Sequence, residues 1–320
     1  MDVALDNLRP FTDADYERFV AFRNRLSPES PRSVDELRYF EAKRGPDEAW
    51  GRFLLEHRGT LIAATSYARD MNVLSKQVFG VTLLLEPEHL DLSEALYEHL
   101  LSVLEAHHPV GLRTQVREDW PHWPAFYKEH GFEEFERRWA STLHLADFQP
   151  EKFAWATARA EAAGITFKTL ADLPDDETTQ RLIYNVVIEL LGDVPFGEPL
   201  EVWPFEKWCE RWWGNPTFRP ASYFMAFDGD ELVGVSDLFA AESADKMHTG
   251  LTGVRGAWRR KGVAQALKLE AAEYAREHGV TTIDTQNHST NRPMLAINEA
   301  MGFVKQPALL FLKKDVERTP

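Results

Sequence analysis

Thr252-Gly253-Val254-Arg255-Gly256-Ala257-Trp258-Arg259-Arg260-Lys261-Gly262-Val263-Ala264 joins a strand-like run to a helical one. Upstream, Met247 to Val254 reads as a strand. Downstream, Gly262 to His278 reads as a helix, with Val263, Ala266, Leu267, Leu269 and Ala271 on one apolar face and Gly279 as its stop. The core of the junction is Arg259-x-x-Gly262-x-Ala264, with three cations in a row from Arg259 to Lys261. A helix N-terminus has unpaired backbone N–H groups and a partial positive charge, so it favours an anion. Small residues let a phosphate approach the backbone, and the cations add charge-assisted hydrogen bonds. The arrangement suits a pyrophosphate, although the hexapeptide taken alone reads equally well as a solvated basic turn.

Working outward, Ile165 to Leu170 is strand-like and Asp176 to Leu191 is helical. Ser222 to Asp228 and Glu231 to Phe239 are strand-like, with Asp228-Gly229-Asp230 as a hairpin signal between them. Thr281 to Thr285 reads as a strand, Asn291 to Met301 as a helix stopped by Gly302, and Phe303 to Leu312 as a closing strand. The second half therefore runs β, α, α, β, β, β, α, β, α, β. The first half repeats it. Gly131-Phe132 and Gly302-Phe303 lie 171 residues apart, and that offset superimposes Phe53-Leu54-Leu55 on Phe224-Met225-Ala226. It also places Leu61-Ile62 on Leu232-Val233, Ala95-Leu96 on Ala266-Leu267, and Gln115 on Gln286. Two homologous domains are expected, 1–150 and 151–320, of α/β class with a mixed central sheet flanked by helices. Glu151 to Ala163 reads as a semi-rigid helical bridge between them.

The same offset puts Glu88 on Arg259, Asp91 on Gly262 and Ser93 on Ala264. An acidic first turn suits a helix but repels an anion, and Asp91 brings a Cβ into the tight bend. The first copy is expected to have lost the anion site. Composition narrows the partners further. With 36 basic and 51 acidic residues among 320, the net charge is −15, which disfavours nucleic acid. Cys209, the single cysteine, forms no disulfide within the chain, and no His-Glu-x-x-His pattern appears among the 11 histidines, so no metal is expected. Met1 to Asp6 lacks the basic and apolar regions of a signal, and no stretch approaches the ~20 apolar residues of a membrane span. A cytoplasmic protein with no membrane partner is expected, as a monomer or homodimer.

The loop, the strand and helix that follow it, and the stretch Asn287-His288-Ser289-Thr290-Asn291-Arg292-Pro293-Met294-Leu295-Ala296-Ile297-Asn298-Glu299-Ala300-Met301-Gly302-Phe303 together resemble the GNAT-type N-acetyltransferase superfamily. That family's pyrophosphate loop has the form Arg/Gln-x-x-Gly-x-Gly/Ala. The resemblance is specific over 240–305, extends over 165–312 and, by the repeat, reaches 1–145. It implies acetyl-CoA as donor and a small-molecule primary amine as acceptor, by direct attack in the C-terminal domain. It implies that Thr252, Gly253 and Val254 end the strand at the acetyl site, with the Val254 N–H serving the thioester oxygen. Arg259, Arg260, Lys261, Gly262, Val263 and Ala264 would hold the pyrophosphate. Asn291 would stand beside the pantetheine arm, or simply cap the helix it begins. Tandem members include the mycothiol synthases, whose layout this one resembles. Many members place a tyrosine four residues before the glycine, whereas this sequence has Asn298 there and Tyr127 in the first half.

Attack on a thioester needs a neutral amine, so a proton must leave the ammonium. Asp237, Glu242 and His248 are the candidate bases, with Asp245 beside them. Asp237 follows an apolar run that would bury it, and histidine is the side chain that ordinarily titrates near neutrality. A hydrogen-bonded or surface role is open for each. An insertion in the second half carries Asp193, Glu198, Trp203 and Phe205, which would make an anionic, aromatic-walled site for an ammonium group. Tryptophans at helical spacing also read as core. A second class of function stays open: a non-catalytic acetyl-CoA sensor or interaction protein, for which the Asn298 departure is the motive.

Overall fold

The structure is a computed structural model and describes residues 5–45, 48–71, 73, 75, 77–196 and 201–316. From the N-terminus, β1 (Leu8–Pro10), α1 (Tyr16–Leu26) and α2 (Val34–Ala42) precede the strands β2 (Trp50–His57), β3 (Thr60–Arg69) and β4 (Val78–Leu85). Then come α3 (Ser93–Leu104), β5 (Gly111–Arg117), α4 (His122–Glu129) and β6 (Glu133–His144). α5 (Ala154–Ala162), β7 (Ile165–Thr169), α6 (Glu177–Leu191) and α7 (Phe205–Trp212) lead to β8 (Tyr223–Asp228), β9 (Glu231–Ala240) and β10 (Lys246–Val254). α8 (Val263–Glu277), β11 (Thr282–His288), α9 (Arg292–Met301), β12 (Val304–Lys305) and β13 (Leu309–Asp315) complete the chain. The fold is of mixed α/β class, and its second half has the element order that the sequence implies. Shifted by 171 residues, β3 becomes β9 and β5 becomes β11 without a slip, and α3 and α4 start within one residue of α8 and α9. β10 breaks the match by starting at Lys246 rather than Thr249.

Contacts divide the chain into two units. The first comprises Met1–Arg137, Gly197–Glu201 and Leu309–Pro320. Its sheet runs β1-β2-β3-β4-β5-β13. β4 and β5 are parallel and pair only at Val78–Gly80 with Gly111–Arg113, diverging beyond. β13 runs antiparallel to the whole of β5, Leu309 opposite Arg117 and Asp315 opposite Gly111. Phe19 and Phe22 of α1 bury against Leu54, Leu61 and Ala64. Leu96, Leu100 and Leu104 give α3 an apolar stripe at i, i+4, i+8, each fully buried.

The second unit comprises Arg138–Phe196 and Val202–Ala308, and its sheet runs β7-β8-β9-β10-β11-β6. β10 and β11 are parallel and pair only at Lys246–His248 with Thr282–Asp284. The sheet is covered on both faces, which is why its strands read as near-continuous apolar runs. On one face, Val263, Leu267 and Ala271 of α8 pack with Val233, Leu238 and Ile283. On the other, Ile183, Val186 and Leu190 of α6 and Trp208 of α7 pack with Tyr223, Met225 and Val235.

Each unit takes its last strand from the other half of the sequence. β13 closes the first sheet, and Arg138–His144 of β6 pairs with β11 in the second. The sequence leads to one strand over Phe303 to Leu312, whereas the chain makes the short β12, breaks at 306–308 and resumes as β13. Leu310 and Leu312 are both buried. A chain ended after Ala308 is expected to lose about 2–5 kcal/mol by deleting those side chains and baring the β5 edge. Urea or thermal unfolding checks this, and a wild-type transition would contradict it.

Candidate functional site

In the second unit, the divergence of β10 from β11 leaves one side of β10 without a strand partner after His248. Arg255 donates its N–H to the Val233 carbonyl of β9 at 2.9 Å. Successive N–H groups along a strand point to opposite sides, so those of Val254 and Thr252 point into the gap. β10 then turns through a short 3-10 segment, Gly256–Trp258, into the loop before α8. Arg260 has φ 63° and Gly262 φ 86°, two left-handed residues that swing the chain into the helix. A Cβ on Gly262 would stand 2.8 Å from the Ala156 carbonyl oxygen of α5, so glycine is required both for its backbone angle and for space. The first helical bond of α8 runs from Ala266 N–H to Gly262 O at 2.9 Å. The N–H groups of Val263, Ala264 and Gln265 in its first turn therefore have no intrahelical acceptor.

These two sets of donors open on one pocket of about 460 Å³. Its lining includes Thr252, Gly253, Val254, Arg259, Arg260, Gly262, Val263, Ala264 and Asn291, all singled out from the sequence. Lys261 is not part of the lining. The sequence reading missed Leu190 and Val194, Gln265 of α8, and Pro293, Met294 and Ile297 of α9. The spacing of α9 holds the signal that would have found the last three: positions i, i+1 and i+4 share one helical face. Asn291 caps α9, accepting the Met294 N–H at 3.3 Å, while lining the pocket. Asn298 is buried; its Nδ2 donates to Asn287 Oδ1 at 2.6 Å, and its own Oδ1 has no partner.

Arg259 is engaged from two directions. Its Nε donates to the Val254 carbonyl at 2.8 Å, and its guanidinium meets the Asp193 carboxylate. Arg255 pairs with Glu189 of α6 and with Glu231. Asp193 thus lines the pocket as a partner of the loop arginine. Trp203 and Phe205 lie outside the lining. The Trp203 carbonyl accepts the Tyr184 hydroxyl at 2.7 Å, and Arg211 stands 5.0 Å from its ring. Phe205 meets Tyr184 edge-on, with Arg181 3.9 Å over its face. Glu198 lies outside the described residues.

The base candidates separate by position. Glu242 is exposed in the turn between β9 and β10, and Asp245 in the same turn is bound by Ser243 and Thr281. His248 is on the α6/α7 face of β10, its side chain 37% exposed, with Nδ1 3.9 Å from Asp284 Oδ2. Asp284 also takes the Thr142 hydroxyl at 2.6 Å and stands 3.6 Å from Lys246 Nζ. The sequence reading missed Asp284, because strand register rather than spacing places it opposite His248. Asp237 is 4% exposed, and burial pushes its carboxyl up to about 7 against the pull of backbone bonds from Leu251 and Gly250.

In the first unit, the corresponding cleft is filled. Tyr127, the counterpart of Asn298, is buried beside the backbone of Leu83, the counterpart of Val254, and the side chain of Thr114. His122 Nε2 lies 3.0 Å from the Ser93 hydroxyl, so the counterparts of Pro293 and Ala264 touch. His122, Trp123, Phe126 and Tyr127 pack ring on ring where the second unit has Pro293, Met294, Ile297 and Asn298. Among the described residues, no group of three or more His, Cys, Asp or Glu is placed to hold a metal ion, and no helix is long and apolar enough to cross a membrane.

Residues 186–303 match the family described as acetyltransferase (GNAT) family. Mycothiol acetyltransferase of Streptomyces scabiei is 31% identical over 93 residues. That match spans 28% of this chain and 30% of the relative's length. In structure, the chain is similar to a tandem GNAT protein from the clavulanic acid biosynthesis pathway, with TM-score 0.74, 17% identity, and 98% and 99% of the two chains covered. It is also similar to a GCN5-related N-acetyltransferase from Sphaerobacter thermophilus, with TM-score 0.68, 18% identity, and 96% and 95% covered.

Gly262→Ala combines a left-handed backbone with a contact too short for a Cβ. It is expected to cost about 1–3 kcal/mol, read by denaturant unfolding. Gly256→Ala, where a Cβ meets nothing, serves as its control and is expected to change little.

Proposed function

We propose that this chain, whose residues 186–303 match the acetyltransferase (GNAT) family, transfers an acetyl group from acetyl-CoA to a primary amine of a small molecule, and that the live site is the pocket of the second unit. The observation that carries this reading is the meeting of two donor sets on one pocket: the free N–H groups opening α8 and the N–H groups of β10 that face the gap. The donor's chemistry fits these residues. The first turn of α8, with Arg259 and Arg260 beside it, suits a pyrophosphate. The apolar stretch from Leu251 past Met294 and Ile297 suits an extended arm.

When bound there, acetyl-CoA supplies an activated acetyl thioester. The Val254 N–H is fixed by strand geometry and is the donor for the carbonyl oxygen, so it stabilises negative charge without having to reorganise. His248 is the base candidate with an accessible ring and a carboxylate behind it, and we assign it removal of the ammonium proton. Asp284 Oδ2 stands 3.9 Å from its Nδ1. Asn298, turned onto Asn287, offers no proton to a departing thiolate. The first unit supports the fold, because Tyr127 and His122 occupy the positions a donor would need. A non-catalytic acetyl-CoA sensor is the second reading, favoured by the absence of an acid at Asn298.

Calorimetric titration of acetyl-CoA is expected to give a stoichiometry near one, lost in Gly262→Asp and kept in Glu88→Ala of the first unit. A stoichiometry near two, or no binding at all, would reject this assignment. Against a panel of primary amines, His248→Gln is expected to lower kcat by a factor of about 10² or more while acetyl-CoA binding holds. Coenzyme A release unchanged by that substitution would remove His248 from the mechanism. Binding without release for every amine would favour the sensor.

A further inference from the structure

β9 and β10 do not pair one to one. Leu238 faces Thr249 and Ser236 faces Thr252, so Asp237 alone stands opposite both Gly250 and Leu251. This is a β-bulge, and the strand carrying the extra residue loses ladder bonds there. Here the missing acceptor is a side chain. Asp237 Oδ1 takes the Leu251 N–H at 2.6 Å, and its carboxylate lies against the Gly250 backbone. A Cβ on Gly250 would stand 2.6 Å from that same Oδ1 and 2.5 Å from the Phe239 ring, so the residue that admits the carboxylate must be glycine.

The consequence lies downstream. In a regular strand His248, Gly250, Thr252 and Val254 would share one face. The extra residue flips the alternation. His248 stays on the α6/α7 face, whereas Val254 packs with the α8 core and Thr252 meets the buried Ser236 hydroxyl at 2.8 Å. Leu251 and Gly253 face α6 instead, and a Cβ on Gly253 would strike Leu190. We propose that Asp237 is a positioning residue: by accepting the Leu251 N–H and filling the space beside Gly250 it holds β10 in the register that presents Thr252 and Val254 to the pocket, and it does not itself exchange protons with the acceptor. This rests on the functional reading above only in what the pocket binds.

Charge and burial bear on the same bonds. The carboxylate accepts the bulge N–H of Leu251, and protonation removes part of that capacity. Its neighbours are Tyr223 of β8, whose hydroxyl is buried without a partner and whose pKa is raised, the apolar rings of Phe239 and Trp212, and His248 further along β10. Because the folded value is raised from 3.8, stability from the protonated carboxyl is full below about 4 and is lost as pH rises through about 7. The clamp and the burial therefore pull in opposite directions near neutrality.

The test uses the full chain, with acetyl-CoA as probe. In labelled protein, the Gly250 and Leu251 amide resonances are expected to move together in one step near pH 7, and in Asp237→Asn to show no step. Asp237→Asn keeps an acceptor for the Leu251 N–H and is expected to bind acetyl-CoA within about threefold of wild type. Asp237→Ala is expected to weaken binding about tenfold or more. Amides indifferent to Asp237, or Asp237→Ala binding as wild type, would overturn the proposal. So would Asp237→Asn binding normally but losing transfer as completely as Asp237→Ala, which marks a proton-transfer group. If Asp237→Ala does not fold, the amide titration and the Asn variant still decide. If wild type binds no acetyl-CoA, the functional reading falls and the amide titration alone judges the clamp.

Discussion

One residue of β9 stands opposite two of β10, and the geometry of the pocket depends on that mismatch. Remove the extra residue and every side chain after Thr249 changes face. Thr252 would leave Ser236, and Val254 would leave the core it shares with Val263 and Leu267. The bulge also sets where the strand ends, hence where the left-handed pair Arg260 and Gly262 can turn the chain into α8. The first unit shows the alternative. β4 pairs with β3 from Phe79 to Leu85 without a slip, and no glycine-and-aspartate pair interrupts it.

The two units therefore share a frame and differ in what fills it. Offset by 171 residues, β3 and β5 fall on β9 and β11, yet where the second unit's pocket is lined by Gly262, Ala264, Pro293, Met294 and Ile297 the first carries the larger or hydrogen-bonding Asp91, Ser93, His122, Trp123 and Phe126. Tyr127 fills the space beside the Leu83 backbone, and His122 reaches across to Ser93. Burying Tyr127 and its ring neighbours adds the kind of apolar and aromatic area that stabilises a core. Leaving the same volume open costs that packing. A duplicated domain can carry one open cleft while its twin keeps the packing.

Much of this frame is legible in the amino-acid sequence alone. Asp228-Gly229-Asp230, Gly262 and Gly302 mark places where the backbone must take a left-handed turn, and Gly229, Gly262 and Gly302 all have positive φ. Such punctuation survives because few residues can replace it. The strand exchange is not legible, because alternation in β6 and β13 announces a strand without naming its partner. The roles of Asp193, Trp203 and Phe205 are not legible either. A carboxylate reads the same whether its partner is a ligand or Arg259, and helical spacing cannot say which face a tryptophan turns inward. Gly250 holds a signal that is easily passed over: a glycine inside a strand marks a bulge or a close approach, and here it marks both.

Charge gives the loop a further property. The chain carries −15 overall, yet the loop between β10 and α8 gathers Arg255, Arg259 and Arg260, the last two lining the pocket. Two of these are held by carboxylates of the same unit, Arg255 by Glu189 and Glu231, and Arg259 by Asp193. An anion reaching Arg259 therefore meets a guanidinium already aligned, its Nε pinned to the Val254 carbonyl, and must share or displace one carboxylate. Arginine suits that exchange, because its planar fork binds phosphate oxygens in the same bidentate manner as a carboxylate. The side chain then changes partner without being reordered. The pin to Val254 links the anion end of the pocket to the strand whose N–H faces the gap, so both ends share one rigid element.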